Sequence, residues 1–428
     1  MAVLTFSNCV FDGKEIIFEE ITRENLTLYF RECTFNCNVY VKSCKALKGL
    51  KFIDTKKIGN ILEVSGNFIG EFYLKNTSDH SNNFLRGEIS IDHNTFYEHA
   101  NFKYLNHIFN NFFFRYNTLT TKEENLELSV DFTNTRLNNA SFVCTDFGKD
   151  ARFDRMVLTN DTKLGGINFS DCTFHNCYFD FVDFGKSGYF NGSSFNGHVQ
   201  FLGVKNPKET KLSFSGSHFK DGFILKMAEI KELQMHALTL EGRVTFEESE
   251  FSSLKIHQVI FKNPAFFDTI KLLHPEKVDT KSLRVIKQEL QRSDNRIDYN
   301  RFKALELNAF KNELTSKLWV DKSILWLNQI SSDHGLNPWK GVLFTLLIGM
   351  IFYVLYFISE NFKLQFFISS TSINQFLIGY FKFLIPSHLS PFENGLKQWY
   401  QYLPFITGKA FVAYGIYQTV QSFRKFRL

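Results

Sequence analysis

Asp333, His334 and Gly335 stand together in this 428-residue chain, and an acid beside a histidine is frequent raw material for general acid–base chemistry. The pair needs a nucleophile or water within hydrogen-bond reach. No GxSxG-like turn and no glycine-rich phosphate loop accompanies it. Gly335 followed by Asn337-Pro338 instead spells a helix stop, so Asp333, His334 and Gly335 read as a hinge. His93, His99, His107, His198, His218, His236 and His257 are dispersed, without carboxylates at ligand spacing, and read as surface or turn residues. Among the seven cysteines, Cys9, Cys33, Cys37, Cys44, Cys144, Cys172 and Cys177, there is no CxxC pair and no zinc-finger histidine spacing. With no secretory leader at the start, they are expected to be free, buried thiols in a reducing compartment. No cofactor is implied, and the chain reads as non-enzymatic.

A second chemical oddity is Lys409, set in the apolar segment 402–420 with Gly408, Gly415 and Gln418. A lysine inside a span is costly and faces protein or water, or snorkels to the surface. Gly408 and Gly415 allow close helix approach, and Lys409 and Gln418 are candidates to line water if several copies assemble. There is no TVGYG-like filter. A plain anchor with a snorkelling Lys409 serves equally well.

These residues need a membrane to matter, and segment 339–359 supplies the signal. WKGVLFTLLIGMIFYVLYFIS carries no charge beyond Lys340 and is long enough for a bilayer core of roughly 30 Å. It is expected to be a transmembrane helix. Segment 373–385, with Asn374, Gln375 and Lys382, is too short to span and reads as interfacial or re-entrant. Lys311, Lys317 and Lys322 precede the first span, and Arg424, Lys425 and Arg427 follow the last. By the positive-inside rule both flanks are cytoplasmic, which two spans satisfy.

The remaining sequence explains a composition of 51 Phe against 4 Trp and 7 Pro. Apolar residues recur every fifth position: Phe169, Phe174, Phe179, Phe184; Phe132, Leu137, Phe142, Phe147; and Phe246, Phe251, Ile256, Phe261, Phe266. Neither a helix nor an alternating strand has that period. A chain that turns a corner every five residues does, with each Phe pointing to the axis of a stacked square coil. Two residues earlier stand Ile167, Cys172, Cys177 and Val182, or Val130, Thr135, Ala140 and Thr145, small or β-branched side chains suited to a narrow interior. The net charge of +5, with acids and bases interspersed, suggests no nucleic-acid interface.

Ala100-Asn101-Phe102, Val130-Asp131-Phe132, Thr145-Asp146-Phe147 and Val182-Asp183-Phe184 resemble the A-(D/N)-(L/F)-x-x unit of pentapeptide-repeat proteins. The resemblance is strong over residues 130–201 and 244–267 and patchy over 4–40, where Phe6, Phe11, Phe30 and Phe35 keep the step. It is poor over 45–83 and 106–128, which are expected to be loops or irregular coils. It implies a right-handed quadrilateral parallel β-helix over residues 1–268. DNA-mimicking members of the family are strongly acidic, and this segment is not.

After Pro275 the spacing turns helical. Asp279 or Thr280 is a candidate cap for a helix bearing Leu283, Ile286 and Leu290, and a second helix over 297–314 completes an expected hairpin within a cytoplasmic connector, 279–332. The run from Arg284 to Trp339, including Arg296, Phe302 and Leu305, resembles a segment between pentapeptide repeats and membrane helices in a group of bacterial membrane proteins. Arg284, Arg301 and Glu306 are candidates for ion pairs that lock the hairpin.

The sequence thus describes a multidomain β + α membrane protein: solenoid, helical connector, and a two-helix transmembrane region over 339–428. The expected location is the bacterial inner membrane. The expected partners are the lipid bilayer, a protein bound to the β-helix and further copies of the chain. A soluble sensor joined to a membrane-perturbing, pore-like hairpin suggests an antiviral-defence effector by analogy, and a passive membrane-tethered scaffold is the alternative.

Overall fold

The computed structural model describes residues 2–23, 25–77, 85–107, 110–120, 130–158, 166–360, 370–387 and 399–424. The chain divides into two compact units, Met1–Ser293 and Asp294–Leu428.

The first unit is a parallel β-solenoid of about ten turns. Among the described residues its strands build two long sheets, of 13 and 15 strands, and two short ones, with parallel pairing from turn to turn. The five-residue register makes this core phenylalanine. Phe169, Phe174, Phe179, Phe184, Phe132, Leu137, Phe142 and Phe147 are all fully buried. Many of the rings lie nearly flat on their equivalents one turn away. One column runs Phe132, Phe153, Phe179, Phe201 with centroids 5.4, 4.7 and 4.7 Å apart. A second runs Phe142, Phe169, Phe190, Phe214, and a third Phe147, Phe174, Phe195, Phe219. Such pairs add about 0.5–1.5 kcal/mol each beyond the burial of the rings.

The small residues two positions earlier also point inward, and the polar ones among them are satisfied. Thr145 Oγ1, Cys172 Sγ, Ser193 Oγ and Ser217 Oγ donate to the carbonyls of Phe114, Phe142, Phe169 and Phe190 in the preceding turn, at 3.0, 2.8, 2.6 and 2.6 Å. In earlier turns the same corner is an asparagine ladder, where Asn67 Nδ2 donates to Asn94 Oδ1 at 3.0 Å and Asn94 Nδ2 to Asn117 Oδ1 at 3.1 Å. A solenoid corner buries backbone groups that no strand can pair, and these side chains supply the missing partners.

Two expectations change here. Residues 45–77 are not loops: they form strands Leu47–Ile53, Ile61–Ser65 and Phe68–Lys75, because their inward residues alternate by two, as in Leu62 and Val64 or Phe72 and Leu74. Strand Phe112–Arg115 likewise fills part of the second weak region, while 78–84, 108–109 and 121–129 lie outside the described residues. The third register slips at its end, where Ala265 and Phe267 point inward and Phe266 is half-exposed.

Helix α1 (Thr280–Arg292) closes the last turn. Asp279 caps it, accepting from the Ser282 N–H at 2.9 Å. Leu283, Ile286 and Leu290 are buried, and polar side chains bond the solenoid's final edge. Ser282 Oγ accepts from the Ile256 N–H at 2.9 Å, Glu289 Oε2 accepts from the Ala265 N–H at 3.0 Å, and Arg292 donates to the Phe261 carbonyl at 3.2 Å. An open strand edge would leave those groups unpaired.

The second unit contains α2 (Arg296–Glu313), α3 (Trp319–Ser332), α4 (Pro338–Glu360), α5 (Ser370–Leu384) and α6 (Trp399–Arg424). The connector expected over 279–332 is therefore divided, with α1 in the first unit and α2 and α3 in the second. Among the described residues α4 is the one helix long and apolar enough to cross a membrane, over Pro338–Ser359. Helix α6 covers the second expected span, 402–420, but Pro404, Lys409 and its other polar residues keep it below that threshold. Helix α5 occupies the expected short segment, 373–385. Lys425 and Arg427 lie outside the described residues.

Candidate functional site: the junction ahead of the apolar helix

Helix α3 must stop before α4 can begin, and the residues between them do this with an unusual backbone. Asp333, His334 and Gly335 have φ of 54°, 56° and 84°, three left-handed residues in succession. For the two that are not glycine this costs roughly 1–2 kcal/mol each. Pro338 then opens α4, where its fixed φ fits and its missing N–H is not needed.

Hydrogen bonds hold the turn. The N–H groups of Asp333 and His334 reach the carbonyls of Gln329 and Asn328 at 3.0 and 3.3 Å, and the Asn337 N–H reaches that of Ser332 at 2.9 Å. Ser332 Oγ accepts from the Gly335 N–H at 2.9 Å and donates to Gln418 Oε1 on α6 at 2.8 Å. Ser331 Oγ lies 3.4 Å from the Tyr414 hydroxyl, and Asp333 lies 3.6 Å from the Lys340 ammonium. His334 donates from Nε2 to Asn308 Oδ1 on α2 at 3.0 Å, while its Nδ1 is buried without a hydrogen-bond partner. Burial holds this imidazole below its ordinary pKa; Lys311 acts in the same direction and Asp333 against it. The hinge candidates thus sit in a bonded, half-buried turn, with no nucleophile–base pair.

From this junction α4 and α6 run side by side. Their seam is made by small residues: a Cβ at Gly341 would meet Thr419, one at Gly415 would meet Thr345, and one at Gly349 would lie 3.3 Å from Val412. At Gly408 it would lie 2.6 Å from Phe352 and Phe383. Tyr353 and Tyr356 turn inward with Tyr380, Phe383 and Phe405 to form an aromatic core. Their hydroxyls need partners there, and Tyr353 donates to the Phe376 carbonyl at 3.0 Å and Tyr380 to that of Leu346 at 2.7 Å. Lys409 points to the end of α5, donating to the carbonyls of Phe383 and Ile385 at 2.8 and 2.6 Å, over the rings of Phe383 and Phe405. It serves there as a C-terminal helix cap. Gln418 is 5% exposed. Of the four pore-lining candidates, Lys409 and Gln418 are engaged within one chain and Gly408 and Gly415 lie on the seam.

The connector candidates are spread over both units. Arg284 is exposed on α1, Arg301 pairs with Asp298 at 3.2 Å on α2, and Glu306 is buried on α2. On the solenoid, all seven cysteines are free, and burial raises the pKa of Cys33, Cys37, Cys44, Cys172 and Cys177, which suppresses the reactive thiolate. On its outer face burial raises two neighbouring acids, Asp180 and Asp154, the latter to about 6, and Asp154 accepts from the Asp180 N–H at 3.3 Å. Among the described residues no three His, Cys, Asp or Glu side chains are grouped to hold a metal.

The chain matches no protein-family model, curated protein or solved structure. Geometry therefore carries the functional argument. Sequence reading gave no site role to Ser332, Asn308 and Tyr414, which bond Gln418 on α6, His334 in the turn and Ser331 on α3.

Proposed function

We propose that this is a non-enzymatic bacterial inner-membrane protein that holds a pentapeptide-repeat-type solenoid, a right-handed quadrilateral β-helix, at the cytoplasmic face, where the solenoid binds a protein partner. The observation that carries the reading is the surface of α4. Leu343, Leu347, Ile351, Leu355 and Ile358 lie exposed on its outer face, while the hydroxyl-bearing Tyr353 and Tyr356 are fully buried on the inner one. That arrangement suits hydrocarbon outside and protein inside. Lys311, Lys317 and Lys322 before α4, with Arg424 closing α6, support cytoplasmic placement of both flanks and α6 as the returning arm.

A tether fits the engaged states of Lys409 and Gln418. The membrane-perturbing, defence-like alternative requires assembly of several copies, with Lys409 released from the α5 carbonyls to face water.

Expressed in bacteria, the full chain is expected to stay in the membrane pellet after alkaline carbonate washing. L347R/I351R, which places two arginines on the exposed face of α4, is expected to shift it to the soluble fraction. Carbonate-soluble wild-type protein overturns the tether. Loss of membrane potential on expression, abolished by Lys409→Leu, favours the alternative.

A further inference from the structure

Helix α3 is amphipathic in the wrong sense for a helix in water. At about 100° per residue, Trp326, Trp319, Ile330, Leu327, Val320 and Ile324 share one side, interrupted by Ser323 and, in the last turn, by the buried Ser331. This side faces outward: Trp319 is 68% exposed, Ile324 59%, Trp326 54%, Val320 49% and Ile330 45%. Toward the C-terminal end of the helix the polar side faces protein, while Asp321 and Lys322 in its first turn are exposed. Gln329 receives the Lys311 ammonium, Ser332 is bonded to Gln418, and the side-chain oxygen of Asn328 is buried. A water-soluble helix would place these two sides the other way round.

Two exposed indoles on such a face are suited to the boundary between lipid headgroups and acyl chains, where a ring can be half in hydrocarbon while its N–H stays wet. The next helix begins a few residues later, at Pro338, with the exposed Trp339 at its mouth. Exposed Lys317 and Lys322 flank the apolar side, and Lys340 stands at the start of α4, in reach of anionic headgroups. We propose that α3 is an interfacial helix lying in the cytoplasmic leaflet of an anionic bilayer, with Trp319, Val320, Ile324, Trp326 and Ile330 immersed. The inference rests on the membrane reading of α4. It makes the second half of the connector a membrane-surface element that anchors the start of the span, with the left-handed turn at Asp333 to Gly335 as the corner between the two orientations.

The chain's four tryptophans, Trp319, Trp326, Trp339 and Trp399, provide the test. Full-length W339F/W399F keeps its indoles on α3 alone, and both changes are conservative at exposed positions. Reconstituted in phosphatidylcholine–phosphatidylglycerol vesicles, its fluorescence is expected to fall about twofold with lipids brominated near the top of the acyl chain, with little quenching by aqueous acrylamide. Acrylamide quenching without bromolipid quenching, in protein that still floats with the vesicles, overturns the inference and leaves the membrane reading intact. Protection from both quenchers together with a dimeric mass assigns the face to a second copy and also overturns it. Protein that does not float with vesicles overturns both.

Discussion

Ser332 and Gln418, 86 residues apart in sequence, share a buried hydrogen bond of 2.8 Å. The same serine oxygen accepts the Gly335 N–H, so one hydroxyl ties the end of α3, the turn after it and the returning helix α6. Gln418→Leu is expected to cost about 1–3 kcal/mol, because it leaves the buried Ser332 hydroxyl with only its longer, 3.4 Å bond to the Asn328 carbonyl. The S332A/Q418L double variant should cost about 1 kcal/mol less than the sum of the singles. Denaturant unfolding in detergent measures the cycle, and simple additivity would show that the bond does no coupling.

His334 predicts a pH dependence with a definite sign. Its depressed pKa means that the unfolded chain takes up the proton more readily than the native one. Its contribution is complete above the ordinary value of about 6.5 and is lost as pH falls through the native value. The wild-type melting temperature should therefore drop between about pH 7.5 and 5 by more than that of His334→Gln, which can still donate to Asn308. Parallel curves for the two proteins would reject a buried neutral imidazole.

The α4–α6 seam predicts a contrast between inner and outer faces. Gly408→Leu and Gly415→Leu force atoms into Phe352 or Thr345 and should each destabilise the helical unit by about 1–3 kcal/mol. Leu347→Ala, on the exposed side, should leave detergent melting nearly unchanged.

The solenoid contains a matched pair of phenylalanines. Phe169 is buried between the stacked rings of Phe142 and Phe190, so Phe169→Ala should cost about 3–5 kcal/mol. Phe181 is half-exposed with φ of 56°, a conformation that asparagine tolerates better. Phe181→Asn should fall within about 1 kcal/mol of wild type. Comparable losses in chemical denaturation would contradict the column model.

Glu289 tests the cap on the last turn. Glu289→Gln keeps an oxygen for the Ala265 N–H, whereas Glu289→Leu strands that donor at a cost of about 1–3 kcal/mol. Amide exchange at Ala265 should accelerate in the leucine variant and change little in the glutamine one.

What the sequence by itself determined was periodicity. Five-residue spacing located the inward phenylalanines of residues 130–201 because a corner every five residues leaves one direction for the ring. The run at 339–359 was legible as one long apolar helix because its length and lack of charge leave nothing to interrupt it. Residues 45–77, expected to be loops or irregular coils, form coils whose strands alternate by two, and a search for fives passes over them. Tertiary structure alone decided the partners. Lys409, Gln418 and Ser332 are each a polar group near an apolar stretch, and nothing local distinguishes a water-lining side chain from one bonded to a carbonyl on another helix. The outward face of α3 was hidden for the same reason: periodicity marks which residues share a side, and only packing fixes which way that side points.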